Sequence, residues 1–154
     1  MSAPPFERFL QTHKDDVYRY LKAVARSHAD DCFQETFISA LKAYPRLDHS
    51  GDARAWIFTI ARRKALDAHR AEKRRPLPVD EVPERGSVID HDGGDAELLG
   101  LVERLPPKQK EAVELRYIAD LSYEQIAEVM GLTGDAARQN ASAGIRALRK
   151  VWKT

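Results

Sequence analysis

The chain has 154 residues, which is enough for one ordinary domain or two small ones. Hydrophobic residues make up 43% and charged residues 32% of it, which is typical of a charge-rich globular protein. No apolar run is long enough to cross a bilayer, and the N-terminal residues lack the pattern of a signal peptide. We therefore expect a cytoplasmic protein without membrane insertion. The single cysteine, Cys32, excludes internal disulfides and cysteine-based metal centres, and we expect it in the core.

The net charge of +1 conceals three blocks of charge along the sequence. Residues 54–75 contain eight basic residues and two acids, and residues 138–154 contain five basic residues and no acid. Between them, residues 76–97 contain seven acids and one arginine. The electrostatic attraction of a polyanion depends on such local blocks rather than on the net charge. Two separate basic surfaces are therefore candidates for nucleic-acid contact.

The first half of the chain predicts three helices. The spacing of apolar residues indicates a helix over residues 6–26, a second from about Asp30 to Tyr44, and a third that starts near Asp52. The expected apolar stripe of the second helix consists of Phe33, Phe37, Leu41 and Tyr44.

Residues 76–95 interrupt the helical pattern. This stretch is rich in proline, glycine and acid, and it predicts a flexible, self-repelling linker. Helical patterns resume over residues 96–104, 107–119, 122–130 and 134–152, and no segment predicts a convincing strand. We therefore expect an all-α fold of two small helical domains joined by a flexible acidic linker.

The last two predicted helices have the pattern of a helix-turn-helix. Ser122 can cap the first of them with Gln125 three residues later, and Gly131 suits the left-handed turn that ends it. The second would bury one apolar stripe and present a polar one, which can contact base edges and phosphates. That polar stripe consists of Arg138, Ser142, Arg146, Arg149 and Lys153, with Gln139 at its edge. An ordinary helical hairpin with a solvated basic face is the alternative.

The third predicted helix offers the other basic surface. Trp56 and Phe58 interleave with its basic residues and could stack on the bases of opened strands. The position of Trp56 on the apolar stripe favours core packing instead. The residues expected to be exposed are Arg62, Arg63, Lys64 and Arg70. Here too, a merely solvated charged face is the alternative.

The start of the second predicted helix carries an acidic patch. Its members are Asp30, Asp31, Gln34 and Glu35. Acids there are favourable at the positive end of the helix dipole, and the patch could also dock a protein partner. A metal site would use His28, Asp31 and Glu35, but a second matching set such as Glu-x-x-His is missing. The sequence therefore predicts neither a metal site nor a cofactor.

Four segments occur in the order and spacing found in one protein family. They are "DDCFQETFISALKAY", "ARAWIFTIARRKALDAHR", "LPPKQKEAVELRY" and "LSYEQIAEVMGLTGDAARQN". From Phe6 to Lys150 the chain resembles the extracytoplasmic-function (ECF) sigma factors of the sigma-70 family, which are bacterial transcription initiation factors. The resemblance implies a region 2 domain over residues 1–75, a linker over residues 76–95 and a region 4 domain over residues 96–154.

The resemblance also implies partners and contact residues. The residues that would dock on the β′ clamp helices of core RNA polymerase are Asp30, Asp31, Gln34 and Glu35. Those that would open and read the −10 element of promoter DNA are Arg54, Arg62, Arg63, Lys64, Asp67 and Arg70. Those that would read the −35 element, beside a contact with the β flap, are Arg138, Gln139, Ser142 and Arg146. The acidic linker would keep the two basic helices apart, and a separate anti-sigma factor is the expected regulator.

Two positions depart from the family pattern, and other functional classes fit less well. Arg63 stands where the family commonly has asparagine, and Ala137 stands where a larger aliphatic residue is usual. A polymerase-independent helix-turn-helix regulator is the alternative, although such proteins commonly bind palindromes as dimers and the two domains here are unlike. An enzyme is not expected, because the five histidines are scattered without ligand spacing and no nucleophile motif is present.

Overall fold

The computed structural model describes residues 4–74 and 93–152, and over these ranges the chain forms helices, turns and short loops without a strand. The prediction of an all-α fold is confirmed. In chain order the helices are α1 Phe6–Val24, α2 Ala29–Ala43, α3 Ala53–Arg74, α4 Gly93–Glu103, α5 Pro107–Val113, α6 Tyr123–Met130 and α7 Gly134–Trp152. A π-helical turn, Glu114–Ile118, extends α5. None of the described helices is long and apolar enough to span a membrane.

Helices α1, α2 and α3 form the N-terminal unit, which packs around a small apolar core. One buried cluster contains Val17 and Leu21 of α1, Cys32 of α2, and Ile57 and Phe58 of α3. None of these side chains is more than 1% exposed. Cys32 therefore lies in the core, as predicted.

Aromatic side chains close one end of the N-terminal unit. The Trp56 ring centroid lies 5.7 Å from that of Phe9 and 6.4 Å from that of Tyr44. Phe6 completes the group, with its ring centroid 5.2 Å from that of Tyr44 in an edge-on arrangement. Trp56 thus packs against the core, as its place on the apolar stripe predicts, and the group anchors the first turn of α3.

Two sequence-based expectations for this unit are wrong. Helix α1 ends at Val24 rather than residue 26, because Arg26 has a φ of 54°, a left-handed conformation through which a helix cannot continue. The sequence predicts Leu41 on the apolar stripe, but Leu41 is 55% exposed. Each step of four residues advances about 40° around a helix, so a strict stripe that starts at Phe33 turns away from the core by Leu41.

Helices α4 to α7 form the C-terminal unit, and α6 and α7 form its helix-turn-helix. The predicted capping box is confirmed: Gln125 N donates to Ser122 Oγ at 3.1 Å, and Ser122 N donates to Gln125 Oε1 at 2.9 Å. Gly131 ends α6 with a φ of 71°, as predicted. These local contacts fix the entry and exit of α6 and so set the start of α7.

Gly144 permits the close crossing of α7 over α5. A Cβ atom at this position would lie 2.5 Å from Val113 Cγ2 and 3.4 Å from the Gln109 carbonyl oxygen. Val113 is buried and β-branched, so its side chain has little freedom to move aside. Glycine at residue 144 therefore sets how α7 sits on the rest of the C-terminal unit.

The two units share one buried core. Leu115, Leu121 and Ile126 of the C-terminal unit belong to the same cluster as Leu21 and Phe58 of the N-terminal unit. Helix α6 lies against α3, and the π-helical turn lies against α1. Apolar residues of the two units thus bury one another, through α6 rather than α7. That the acidic linker keeps the basic helices α3 and α7 apart stays a prediction.

The predicted linker falls almost entirely outside the described residues. Helix α4 begins at Gly93, three residues earlier than the sequence pattern predicts, so the last part of the segment 76–95 is helical. The remaining residues of that segment lie outside the two described ranges.

Candidate functional site

The predicted −35 face of α7 is accessible to solvent. Arg138, Gln139 and Arg146 are exposed, and Ser142 is half-buried. The opposite face of the helix packs inside the C-terminal unit. Its buried members are Ala137, Ala141 and Leu148. The polar stripe of α7 is therefore accessible to a large ligand.

Local contacts orient Arg138 at the start of α7. Arg138 Nη1 donates to Asp135 Oδ1 at 3.0 Å, and its guanidinium lies 5.2 Å from the ring centroid of Tyr123 on α6. Arg116 contacts the same ring, with its guanidinium 4.8 Å from the centroid. Because the ion pair with Asp135 is exposed, it orients the side chain more than it stabilises the fold.

The exposed face of α3 carries four of the six predicted −10 residues. At about 100° per residue, Arg63, Asp67 and Arg70 fall within about 60° of one another. All three are exposed, Lys64 is half-buried beside them, and Arg70 forms a loose ion pair with Asp67 at 3.9 Å. This part of α3 presents a mixed but mainly basic surface to solvent.

Arg62 lies on another side of α3 and contacts the C-terminal unit. Its Nε and Nη2 both donate to Glu111 Oε2, at 3.0 and 2.7 Å. Only 27% of the Arg62 side chain is exposed. The prediction of an exposed Arg62 is wrong, because α5 brings a carboxylate against this side of α3.

Arg54 is held by both units. Its Nη1 donates to Asp16 Oδ2 at 3.0 Å, and its Nη2 donates to the Ala119 carbonyl oxygen at 2.6 Å. The guanidinium also lies 5.1 Å from the Phe58 ring centroid, and the side chain is 22% exposed. Arg54 and Arg62 together therefore form a covered basic face of α3, distinct from its exposed face.

The end of the π-helical turn supplies the backbone carbonyl oxygens that accept hydrogen bonds from arginines of the N-terminal unit. The last carbonyl groups of a helix have no partner within it and carry its negative dipole end. The chain leaves the helix through Asp120, whose φ is 59°. Ile118 O then accepts from Arg19 Nε at 3.1 Å, while Ala119 O accepts from Arg54. Two arginines of the N-terminal unit thus satisfy the helix end of the other unit.

A buried carboxyl lies in the same interface. Glu114 is 7% exposed, and burial raises its pKa to about 7. Lys110 and Arg26 lower this pKa by their positive charge, whereas Glu111 and Glu103 raise it further. Arg26 belongs to the N-terminal unit and forms an ion pair with Glu103 at 2.9 Å. No local pattern in the sequence marks Glu114 as buried, so this carboxyl could not be predicted.

The acidic patch on α2 is exposed, together with two aliphatic side chains that the sequence analysis missed. All four predicted docking residues are solvent-facing, and Asp30 Oδ1 accepts from Tyr18 Oη at 2.8 Å. Ile38 and Leu41 lie on the same side of α2 and are 52% and 55% exposed. Ile38 and Leu41 follow Gln34 by four and seven residues, a spacing that places them on the same face of the helix as the patch. Exposed aliphatic residues beside acids are a feature of protein interaction surfaces.

Two family models match the chain. Sigma-70 region 2 matches residues 9–75, and Sigma-70, region 4 matches residues 95–148. The first match covers the N-terminal unit, and the second covers most of the C-terminal unit, including the whole of α6 and most of α7.

Curated relatives with similar sequences are ECF sigma factors. The ECF RNA polymerase sigma factor BldN of Streptomyces coelicolor is 33% identical over 162 residues, which cover 97% of this chain and 61% of that protein. The ECF RNA polymerase sigma factor SigD of Mycobacterium tuberculosis is 36% identical over 147 residues, covering 84% of this chain and 68% of SigD. The chain thus spans about three fifths of BldN and about two thirds of SigD.

Solved structures share the fold. The sigma factor RpoE of Bartonella quintana, in a complex with the anti-sigma factor NepR, aligns with a TM-score of 0.77 at 19% identity and covers 97% of both chains. CnrH, in a complex with the cytosolic domain of CnrY, aligns with a TM-score of 0.74 at 20% identity, over 96% of this chain and 86% of CnrH. With both regions matched in order, and with relatives of this similarity, the chain belongs to the ECF sigma factors of the sigma-70 family.

Proposed function

We propose that this protein binds core RNA polymerase and directs it to promoters with −35 and −10 elements, where it assists strand opening. The observation that carries the proposal is the pairing, in family order, of a basic three-helix unit with a helix-turn-helix whose basic stripe is exposed. As such a factor it acts in the cytoplasm and has no catalytic activity of its own. Because one structural neighbour, RpoE of Bartonella quintana, is bound to an anti-sigma factor, an anti-sigma factor is also the proposed regulator.

The −35 element is assigned to α7. Arg138 and Gln139 stand at the exposed start of the helix, where side chains reach base edges in the major groove. Ser142 and Arg146 follow one and two turns later and suit phosphate contacts. Arg138 is the leading candidate for base reading, because Tyr123 and Asp135 already orient it.

The −10 element is assigned to α3. Arg63, Lys64, Asp67 and Arg70 are reachable in the present arrangement, and their exposure supports contact with an opened strand. Arg54 and Arg62 are assigned to the same element, but they reach DNA only when the C-terminal unit moves away. The assignment therefore divides these six residues into four that are available and two that are covered.

Polymerase docking is assigned to the exposed side of α2. The acidic patch of Asp30, Asp31, Gln34 and Glu35 provides charge complementarity for a basic partner surface. Ile38 and Leu41 add apolar area that a partner can bury. The division into domains over 1–75 and 96–154 with a linker over 76–95 stays a prediction, with the helical part of the C-terminal unit beginning at Gly93.

Run-off transcription tests the proposed function. Purified bacterial core polymerase is incubated with a genomic fragment library, with and without this protein. New start sites that share sequence motifs near −35 and −10 are the expected result. Binding of the protein alone to a palindromic site, without new transcripts, would favour a polymerase-independent regulator instead.

A further inference from the structure

We propose that Asp135 is a specificity-determining residue of the −35 contact, where it accepts a hydrogen bond from the amino group of a cytosine next to the guanine that Arg138 reads. The proposal rests on the proposed function, because it refines what α7 recognises in DNA. Its test separates the two, since the absence of any shared −35 sequence and a shared sequence that is insensitive to Asp135 are different results.

Asp135 lies in the middle of the exposed polar face of α7. At about 100° per residue, it falls within about 60° of Arg138, Gln139 and Ser142 around the helix. Its side chain is 86% exposed. The first residues of the second helix of a helix-turn-helix are those that meet base edges in the major groove. The carboxylate of Asp135 is therefore in position to face DNA rather than the protein.

The start of α7 does not need Asp135 as a cap, because Thr133 fills that role. Ala136 N donates to Thr133 Oγ1 at 3.0 Å, and Ala137 N donates to the Thr133 carbonyl oxygen at 2.9 Å. Asp135 Oδ1 accepts instead from Arg138 Nη1 at 3.0 Å, and within the described ranges its Oδ2 accepts no hydrogen bond. An acid in the first turn also gains from the helix dipole, but that gain requires no particular orientation. Oδ2 is thus available to a ligand.

Arg138 holds the carboxylate of Asp135 in a defined place. The guanidinium of Arg138 contacts the ring of Tyr123, 5.2 Å from its centroid, as well as Asp135. Tyr123 is itself half-buried, so the ring is a fixed support on α6. Side chains that are already ordered lose less entropy on binding than mobile ones. Asp135 and Arg138 therefore present one acceptor and several donors in a fixed arrangement.

The chemistry of this pair selects the bases. A carboxylate only accepts hydrogen bonds, and the donors on the major-groove edge are the amino groups of cytosine and adenine. Adenine has its N7 acceptor beside the amino group, which repels a carboxylate, whereas cytosine has a C–H group there. Arg138 gives one N–H to Asp135 and keeps others for O6 and N7 of a guanine. Asp135 also repels backbone phosphates, so it disfavours DNA that offers no amino group.

The spacing of the two side chains fits neighbouring base pairs. Asp135 and Arg138 are separated by about 4.5 Å along the helix, at about 1.5 Å per residue. Successive base pairs are about 3.4 Å apart along DNA. We therefore expect the cytosine at the base pair next to the guanine, on either strand.

Selection from randomised DNA tests this assignment. The full chain, together with core polymerase, is bound to duplexes with a long central segment of random sequence, and the bound DNA is sequenced. We expect a shared element with a cytosine next to a guanine at a fixed position. Asp135→Asn should lower the preference for that cytosine at least about fivefold and admit adenine, whose N6 and N7 an amide can contact, while the guanine is kept. Arg138→Ala should lose the preference for the guanine.

Asp15→Asn is the matched control, because it makes the same chemical change at an exposed position of α1 and should leave the enriched sequences unchanged. Asparagine at residue 135 still offers Arg138 an acceptor, so the arginine keeps its support. The proposal is wrong if the shared element has no cytosine beside the guanine, or if Asp135→Asn keeps the same cytosine and binds all sequences more tightly alike. If the unmodified protein with polymerase enriches no shared element, the proposed function fails and this inference fails with it.

Discussion

Helices α3 and α7 both carry basic residues assigned to promoter DNA, but the fold treats them differently. The polar stripe of α7 is open to solvent along its length, since its apolar side is satisfied within the C-terminal unit. The basic residues of α3 are divided between an exposed face and a face covered by Glu111 and the Ala119 carbonyl group. A charged helix face is thus free or covered according to what the rest of the chain can place against it.

The largest expected effect concerns the exposed stripe of α7. Replacing Arg138 with alanine should weaken binding of the polymerase complex at the −35 element by about 1–3 kcal/mol, or about 5- to 150-fold, because a base contact is lost. Affinity for the promoter and for a variant with an altered −35 element measures the loss of discrimination. Arg149→Ala, also exposed but at the far end of α7, should lower affinity for both DNAs alike. If Arg138→Ala does the same, Arg138 does not read bases.

The packing that supports α7 is tested by Gly144→Ala. The added methyl group meets Val113 and costs about 1–3 kcal/mol by overpacking, against a gain of about 1 kcal/mol in helix propensity. We expect a net loss of up to about 2 kcal/mol in the free energy of unfolding, measured by urea denaturation. Gly100→Ala is the control, because a Cβ there meets nothing within 4 Å, and it should stabilise the protein. A stabilising Gly144→Ala would mean that the helices do not cross so closely.

Glu114 should make the stability of the protein depend on pH. Burial raises its pKa to about 7 in the folded protein, above the ordinary value of 4.5. The neutral carboxyl therefore stabilises the folded state, and this contribution is lost as the pH rises through about 7. From pH 6 to pH 7.5 the free energy of unfolding should fall by about 1 kcal/mol, measured by urea denaturation at each pH.

Glu114→Gln provides the check on this pH dependence. The amide resembles the neutral carboxyl and does not titrate, so this fall in the free energy of unfolding between pH 6 and pH 7.5 should disappear. The groups that face Glu114 are kept in this variant, and they are Tyr20, Arg26, Glu103, Lys110 and Glu111. Glu128→Gln should keep the full dependence. A dependence that survives Glu114→Gln would assign the proton to another group.

The smallest effect is expected at the start of α6. Ser122→Ala removes one half of the capping box and should lower the free energy of unfolding by about 1 kcal/mol. Thr133→Ala removes a similar contact at the start of α7, where Ala136 N donates to Thr133 Oγ1 at 3.0 Å. With spin labels at Gln11→Cys and Lys150→Cys and with Cys32 replaced by alanine, only Ser122→Ala should also broaden the distance distribution between the units, because Gln125 links the cap of α6 to Asp52. Equal broadening in both variants would remove that link.

Features that depend on neighbouring residues could be predicted from the sequence. The capping box of Ser122 and Gln125 and the left-handed Gly131 involve residues within a few positions of one another, and all are as predicted. The burial of Cys32 follows from the general preference of a free cysteine for the core, and the packing of Trp56 follows from its place on an apolar stripe. These features define the helix-turn-helix and the N-terminal unit.

Features that depend on distant residues could not be predicted in this way. Arg62 is covered by a carboxylate 49 positions later, and Arg54 donates to a carbonyl group 65 positions later. Periodicity places both arginines on a helix but does not indicate what faces them. Leu41 shows the opposite case, since an apolar residue near the core-facing positions is left exposed. Glu114 is likewise faced by a distant residue, Arg26 of the N-terminal unit.

Footprinting at a promoter obtained from the transcription experiment tests most directly whether this protein recognises promoters only together with polymerase. The promoter fragment is digested in the presence of the protein alone, core polymerase alone, and both. We predict protection of the −35 and −10 elements, with strand opening at −10, only when both are present, because the proposed function assigns promoter recognition to the complex with polymerase. Protection of both elements, or of a palindrome, by the protein alone would contradict this.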